Sequence, residues 1–342
     1  MTYVASKSEH ANAVFARVPF IAALVTLTCI TAIASLFIGY APLPFADVVS
    51  GLFQDEGTAG IIMREIRLPR MLLGLLAGAA LGMSGAALQG LLRNPLAEPG
   101  VMGIASFASL GAVIAIYFGL STSITLALPL MAIIGALGAA AVLNALASRE
   151  NSILTLILAG VALANLAAAL MALALNLAPN PYAVSEIIFW LLGSLKDRSL
   201  DDVYLSFPFI ALGLVCLAST GRALDALTLG EEAARSLGIE VRSISRRVTL
   251  GVALSVGASV AVTGSIAFVG LIVPHLCRPF FGHQPSRLLW PSAVCGALLV
   301  SLADIAVRLL PSGPELMLGV FTSLIGVPFF LWLIFKLRRE MQ

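Results

Sequence analysis

Residues 67–100 read RLPRMLLGLLAGAALGMSGAALQGLLRNPLAEPG. A basic, proline-containing entry leads into a long apolar run with Gly74, Gly78 and Gly82 at every fourth position, and Asn94-Pro95-Leu96 closes it. About 20 apolar residues in a helix match a hydrocarbon layer about 30 Å thick. Small residues four apart share one helix face, and in lipid that face lets a second backbone come close. The segment predicts a membrane helix built to touch other helices. Further glycines at Gly85, Gly135, Gly138, Gly251, Gly257 and Gly264 carry the same signal through the chain. They speak for many tight helix contacts rather than for a site.

Only 11% of the 342 residues are charged and 59% are hydrophobic. A soluble domain has about 25% charged residues, so a soluble monomer is excluded. The net charge of +2 does not indicate a nucleic-acid partner, and a small basic excess in a membrane protein reflects its cytoplasmic loops. Cys29, Cys216, Cys277 and Cys295 sit in or beside apolar runs without any C-x-x-C pair, which indicates neither a disulfide framework nor a zinc site. They read as small buried hydrophobes.

Apolar runs predict spans near 19–40, 68–92, 100–118, 124–147, 153–176, 203–220, 248–264, 289–309 and 316–336. The first exceeds the apolar core of a secretory signal, about 7–15 residues, and reads as a retained helix. A tenth span, 266–281, is short and carries Pro274, so it fits only where protein or water shelters it. Ile187 to Leu195 reads as a re-entrant or surface helix. Ten spans put both termini on one side. With that side inside, the outer face holds Arg64, Arg67, Arg70, Lys196, Arg198 and Arg308, and the rest of the 20 basic residues fall inside. The positive-inside rule then sets both termini in the cytoplasm. The expectation is an all-α, polytopic membrane protein forming one domain over 1–342, with a cytoplasmic loop at about 222–247. A faint echo of Ser84-Gly85, Gly90, Pro95 and Pro99 in Thr263-Gly264, Gly270, Pro274 and Pro279 hints at inverted repeats.

Groups that could do chemistry are sparse. Asp304 and Arg308 stand one turn apart and can pair on a helix face. No chain of Asp, Glu and His crosses the spans, which disfavours a proton-driven carrier. Sodium coupling through carbonyls would leave no such trace, so an ion-coupled secondary transporter is the rival class. His10, His275 and His283 show no metal-ligand spacing. Gly82-Met83-Ser84-Gly85 matches the nucleophile motif of intramembrane serine proteases, but with His275 as the only intramembrane base the match reads as chance in a glycine-rich chain. Thr228-x-x-Glu231 can form a capping box, Glu231 and Glu232 suit a helix start, and Gly238 suits its end. A short helix, Glu231 to Leu237, is thus expected outside the membrane, either as a plain connector or as a knob offered to a partner. No G-x-x-x-x-G-K-[ST] loop occurs, so nucleotide chemistry belongs to another chain.

RLPR at 67–70, RNPLAEPG at 93–100, LAGVAL at 158–163, GSIAFVGLIVPH at 264–275, DIAVR at 304–308 and GVFTSLIGVPFF at 319–330 together resemble the permease subunits of ATP-binding-cassette importers for cobalamin, iron–siderophore complexes and haem, the type II importers. The likeness runs from about residue 60 to 336. It implies a ten-helix subunit, a homodimer, two cytoplasmic ATPase subunits that use ATP and Mg, and a periplasmic binding protein, in a bacterial inner membrane. It implies a transport subunit, not an enzyme, with no cofactor or metal of its own. By position, Arg67, Arg70 and Arg308 match arginines that pair with glutamates of the binding protein. Leu229, Gly230, Glu231, Glu232, Ala233, Ala234, Arg235 and Gly238 match the ATPase-coupling helix. Asn94, Pro95 and Leu96 match the cytoplasmic gate, with a looser match near Asn151 to Thr155 for its partner. Gly264-Ser265-Ile266 departs from the family's frequent G-P-I. The cargo implied is an iron chelate, haem by overall likeness, with a siderophore or cobalamin as the alternative.

Overall fold

The computed structural model describes the backbone of residues 2–53, 57–124, 126–150, 153–310 and 316–340. Side chains are described from residue 19 onward within these, apart from 122, 147–150 and 337–340. The regular structure described is helical: α1 (Thr2–Phe37), α2 (Phe45–Phe53), α3 (Thr58–Ile61), a π-helical turn (Ile62–Arg67), α4 (Leu68–Leu92), α5 (Ile104–Tyr117), α6 (Leu120–Ser123), α7 (Ala127–Glu150) and α8 (Ile153–Asn176). There follow α9 (Pro181–Leu191), α10 (Leu200–Ala218), α11 (Gly221–Leu227), α12 (Glu231–Ser236), α13 (Val241–Thr263), α14 (Val269–Phe281), α15 (Pro285–Leu309) and α16 (Leu318–Glu340).

Seven of the described helical stretches are long and apolar enough to cross a membrane: those of α1, α3 to α4, α7, α8, α10, α15 and α16. The other three expected spans appear as α5, α13 and α14. Helix α13 begins with Arg242, Arg246 and Arg247, yet Gly251 to Thr263 is buried throughout, so neighbouring helices rather than lipid surround it. Helices α5 and α14 hold 14 and 13 residues. At 1.5 Å per residue each is about 20 Å long, short of a hydrocarbon layer.

Each short helix is entered from irregular backbone, 93–103 before α5 and 264–268 before α14. That backbone is held by protein: Gln89 Nε2 donates to Ala97 O at 3.4 Å, and Thr263 Oγ1 donates to Gly264 O at 3.1 Å. This is the shelter that non-helical chain needs at membrane depth. The break in the tenth span therefore lies upstream of Pro274, which continues inside α14. Gly264 takes φ +67 with the Trp190 carbonyl packed where a Cβ would stand, so a side chain there is excluded twice over. Helix α9 starts earlier than its apolar run suggested, because the Asn180 side chain accepts the Ala183 amide at 2.9 Å and Pro181 supplies a preset first turn.

The bundle is assembled on α4, 18 of whose 25 residues are buried. A Cβ on Gly78 or Gly82 would run into the carbonyls of Gly296 and Ser292 on α15, and one on Gly85 into that of Gly270 on α14. The small-residue face expected from sequence thus touches two helices at once. Helix α8 turns Leu154, Leu158, Leu166 and Leu173 outward, where lipid is their natural solvent.

Candidate functional site: outer clamp, inner gate and cytoplasmic knob

At the outer ends of α1, α4 and α15, two arginines close on one carboxylate and a third binds the end of α1. Asp304 accepts from Arg70 (Nη2 2.8 Å, Nε 2.9 Å) and pairs with Arg308 Nη2 at 2.9 Å, the one-turn pair read from sequence. Arg308 also donates to Ser35 Oγ at 2.6 Å and to the carbonyls of Ser35 and Ile38. Arg67 donates to Leu36 O at 2.6 Å, Phe37 O at 3.2 Å and Ala41 O at 2.5 Å. The last carbonyls of a helix lack partners within it and carry the negative end of its dipole. Two guanidiniums therefore cap the end of α1 and offset their own excess charge.

Arg67, Arg70 and Arg308 are 3%, 7% and 8% exposed, although the sequence placed them on the outer face ready to meet a partner. They stand at the outer end, but they point into the protein. A direct ion pair with an incoming carboxylate would first have to displace these internal bonds.

Beside them, the loop after α9 carries Arg198, whose guanidinium lies 4.8 Å from the Trp190 ring centre. Burial pulls Arg198 below the usual guanidinium range, and Asp202 and Asp197 pull it back. Below this loop an apolar groove of about 550 Å³ runs along α16, lined by Leu191, Leu192, Ala267, Val320, Leu324 and Val327 among others. Its wall joins the end of α9, the break before α14 and one face of α16.

At the inner end, Arg93 closes α4 in the left-handed region (φ 47), which turns the chain sharply into Asn94-Pro95-Leu96. Asn94 Oδ1 accepts the Leu96 amide at 2.9 Å and Asn94 O accepts the Ala97 amide at 3.2 Å, so the turn is self-bonded. It is also latched: His275 Nε2 lies 2.8 Å from Pro95 O, and Arg278 Nη2 donates to Gln89 Oε1 at 2.7 Å. Gln89 spreads its amide over the carbonyls of Ala97, Gly270 and Leu271 at 3.4 Å each. Sequence reasoning saw the turn and missed the latch, since a lone histidine between proline and leucine carries no motif. The looser partner segment begins at Asn151 and Ser152, which lie outside the described residues.

Helix α12 stands where a knob was expected, from Glu231 to Ser236. Gly238 (φ 79) ends it, with its amide on Arg235 O at 2.9 Å and the Ile239 amide on Ala234 O at 3.0 Å. The capping box does not form. Gly230 (φ 107) occupies the cap position, and Thr228 closes α11 by donating to Asp225 O at 2.6 Å. Ala234 is fully buried, whereas Leu229 and Leu237 are 70% and 64% exposed and Glu232 is exposed between them. Ser84, the nucleophile of the protease motif, is buried against Ser255 Oγ at 3.1 Å, while His275 is engaged at Pro95.

An all-helical membrane bundle with half-length helices, a latched inner turn and a presented knob defines a transport permease. The chain belongs to the FecCD transport family, whose model matches residues 27–336. It is 40% identical over 283 residues to the uncharacterized ABC transporter permease protein YvrB of Bacillus subtilis, covering 81% of this chain and 80% of that one. It is 40% identical over 273 residues to the vitamin B12 import system permease protein BtuC of Vibrio cholerae, 80% of this chain and 82% of the relative. Identity is 36% over 307 residues to the Fe(3+) dicitrate transport system permease protein FecD of Escherichia coli, 90% and 95% of the two chains. A metal-chelate type ABC transporter solved in an inward-facing conformation superposes with a TM-score of 0.83 at 32% identity, over 93% of this chain and 99% of that one. The chain is thus a multi-pass ABC importer permease of the metal-chelate, cobalamin and siderophore type, a transport component rather than an enzyme.

Proposed function

We propose that this chain is the translocation subunit of an ATP-driven importer in a bacterial inner membrane, working as a homodimer on an iron chelate, haem first. The observation that most supports it is the α12 knob. Its exposed leucines and Glu232 are set on an elbow whose two glycines take φ 107 and φ 79, and they present their side chains outward rather than into the bundle. Two cytoplasmic ATPase subunits, using ATP and Mg, dock there through Leu229 to Gly238 and move the arm at 222–247. That motion reaches the inner gate at Asn94, Pro95 and Leu96. The whole chain acts as one membrane domain with both termini inside.

A periplasmic binding protein delivers cargo to the outer end. Arg67, Arg70 and Arg308 serve that docking from beneath, by fixing the ends of α1, α4 and α15 that form the landing face. The apolar groove along α16 suits the flat apolar faces of haem, which then passes without covalent chemistry and without a ligand or cofactor held by this chain. Ferric siderophore and cobalamin are the other cargoes, in keeping with relatives named for ferric dicitrate and vitamin B12 transport.

The test is uptake into proteoliposomes holding the chain, its ATPase and its binding protein, with haemin, a ferric siderophore and cyanocobalamin compared. ATP-dependent haemin uptake is expected. Uptake of another chelate alone reassigns the cargo, and uptake that follows an ion gradient without ATP ends the importer reading.

A further inference from the structure

Arg278, in the last turn of α14, is half-buried and has no carboxylate within ion-pair distance among the described residues. Its hydrogen-bond acceptors are neutral: Gln89 Oε1 at 2.7 Å, and His275 Nδ1 at 3.2 Å, which carries no proton when it accepts from a guanidinium. Charges withdrawn from water are ordinarily paired. Next to it lies a cavity of about 150 Å³, lined by Gln89, Arg93, Thr228 and His283 together with Arg278. No acidic side chain lines it. Two acids stand close by in sequence or space: Asp225 accepts from Gln284 Nε2 at 2.7 Å and from the Ser286 amide at 2.8 Å, and Glu231 divides itself between Arg235 at 3.5 Å and Arg93, on the cavity rim, at 3.9 Å. The volume equals about five waters at roughly 30 Å³ each in the liquid, room for a tetrahedral oxyanion and far too little for a chelate.

We propose that this cavity binds a phosphate-type oxyanion. Two guanidinium forks offer the donor geometry that tetrahedral oxyanions take up, and the His283 imidazole adds a ring nitrogen, while Thr228 and Gln89 shape the wall with their own donors already given to Asp225 O and to the carbonyls of Ala97, Gly270 and Leu271. The position gives such an anion a consequence. Arg93 immediately precedes the gate turn, Thr228 immediately precedes the knob, and Arg278 belongs to the helix whose His275 holds Pro95. A bound oxyanion therefore ties gate, coupling arm and α14 together. Inorganic phosphate and the headgroup of an anionic phospholipid present the same chemistry at this inner edge.

The full chain is placed in phosphatidylcholine nanodiscs and titrated with inorganic phosphate by calorimetry. The same chain in discs containing phosphatidylglycerol is read by native mass spectrometry. Saturable phosphate binding is expected, weakened about tenfold or more by Arg278→Gln. Arg93→Gln, at the exposed rim and outside the α14 network, is expected to weaken it comparably and guards against a folding defect in the first variant. If phosphate fails to bind but one phosphatidylglycerol per chain is retained and is lost in both variants, the oxyanion is a headgroup and the site stands. Binding of neither, or binding in both variants as tight as in the wild type, overturns the proposal.

Discussion

Asp304 is the single carboxylate between Arg70 and Arg308, and it is 2% exposed. Removing one partner of a buried pair leaves an uncompensated charge, which costs about 3–5 kcal/mol. Asp304→Ala is therefore expected to lower the unfolding temperature of the purified protein sharply, and Asp304→Asn to fall between it and the wild type. Thermal unfolding in detergent checks both, and an unchanged Asp304→Ala would show that the clamp bears no charge balance. On the inner side, His275→Ala removes the hold on Pro95 without disturbing the Asn94 turn. Substrate leak through proteoliposomes is expected to rise while the bundle stays folded; tight vesicles would put the latch elsewhere. Both side chains were visible in the sequence. Asp304 could be read there, because one-turn spacing brings Arg308 to it, whereas the link from His275 to Pro95 joins residues 180 positions apart.

At the scale of elements, the glycines of α4 are not equivalent. Gly78 and Gly82 face carbonyls of α15 with no room for a methyl group, while Gly138 on α7 has open space where its Cβ would stand. Overpacking costs about 1–3 kcal/mol, so Gly78→Ala and Gly82→Ala are expected to reduce monodispersity and unfolding temperature, and Gly138→Ala to leave them unchanged. Gel-filtration profiles of the three variants decide it, and equal behaviour would mean that α4 and α15 slide apart at no cost. The four-residue spacing announced that α4 packs closely. Which helix it meets was not legible, because small-x-x-x-small spacing describes one surface and says nothing about the other. The capping box at Thr228 shows the converse: the residue types fit, but Gly230 at φ 107 starts α12 and leaves Thr228 to finish α11.

For the whole molecule, the knob at α12 and the turn after α4 are joined by the Arg93–Glu231 pair at 3.9 Å, the link through which the proposed function has a push on one reach the other. Glu232→Arg reverses the charge between two exposed leucines and is expected to lower ATP-driven uptake at least about tenfold, as loss of a charge-assisted contact would, with the fold intact by thermal unfolding. Unchanged coupling would remove the docking role from this face. The sequence by itself determined that the chain lives in lipid, that its helices pack closely, where the turn after α4 falls and that a short helix starts at Glu231. These follow from local rules, since hydrophobic length, glycine spacing and turn chemistry act within a few residues. Tertiary structure alone decided that the outer arginines point inward, Arg67 and Arg308 onto the end of α1 and Arg70 onto Asp304, that α13 is walled in by protein, and that His275, Arg278 and Gln89 converge behind the turn at Asn94. The physical reason is that backbone carbonyls and charges within the hydrocarbon region find their partners inside the protein, and which partner serves is chosen by packing between helices remote in sequence.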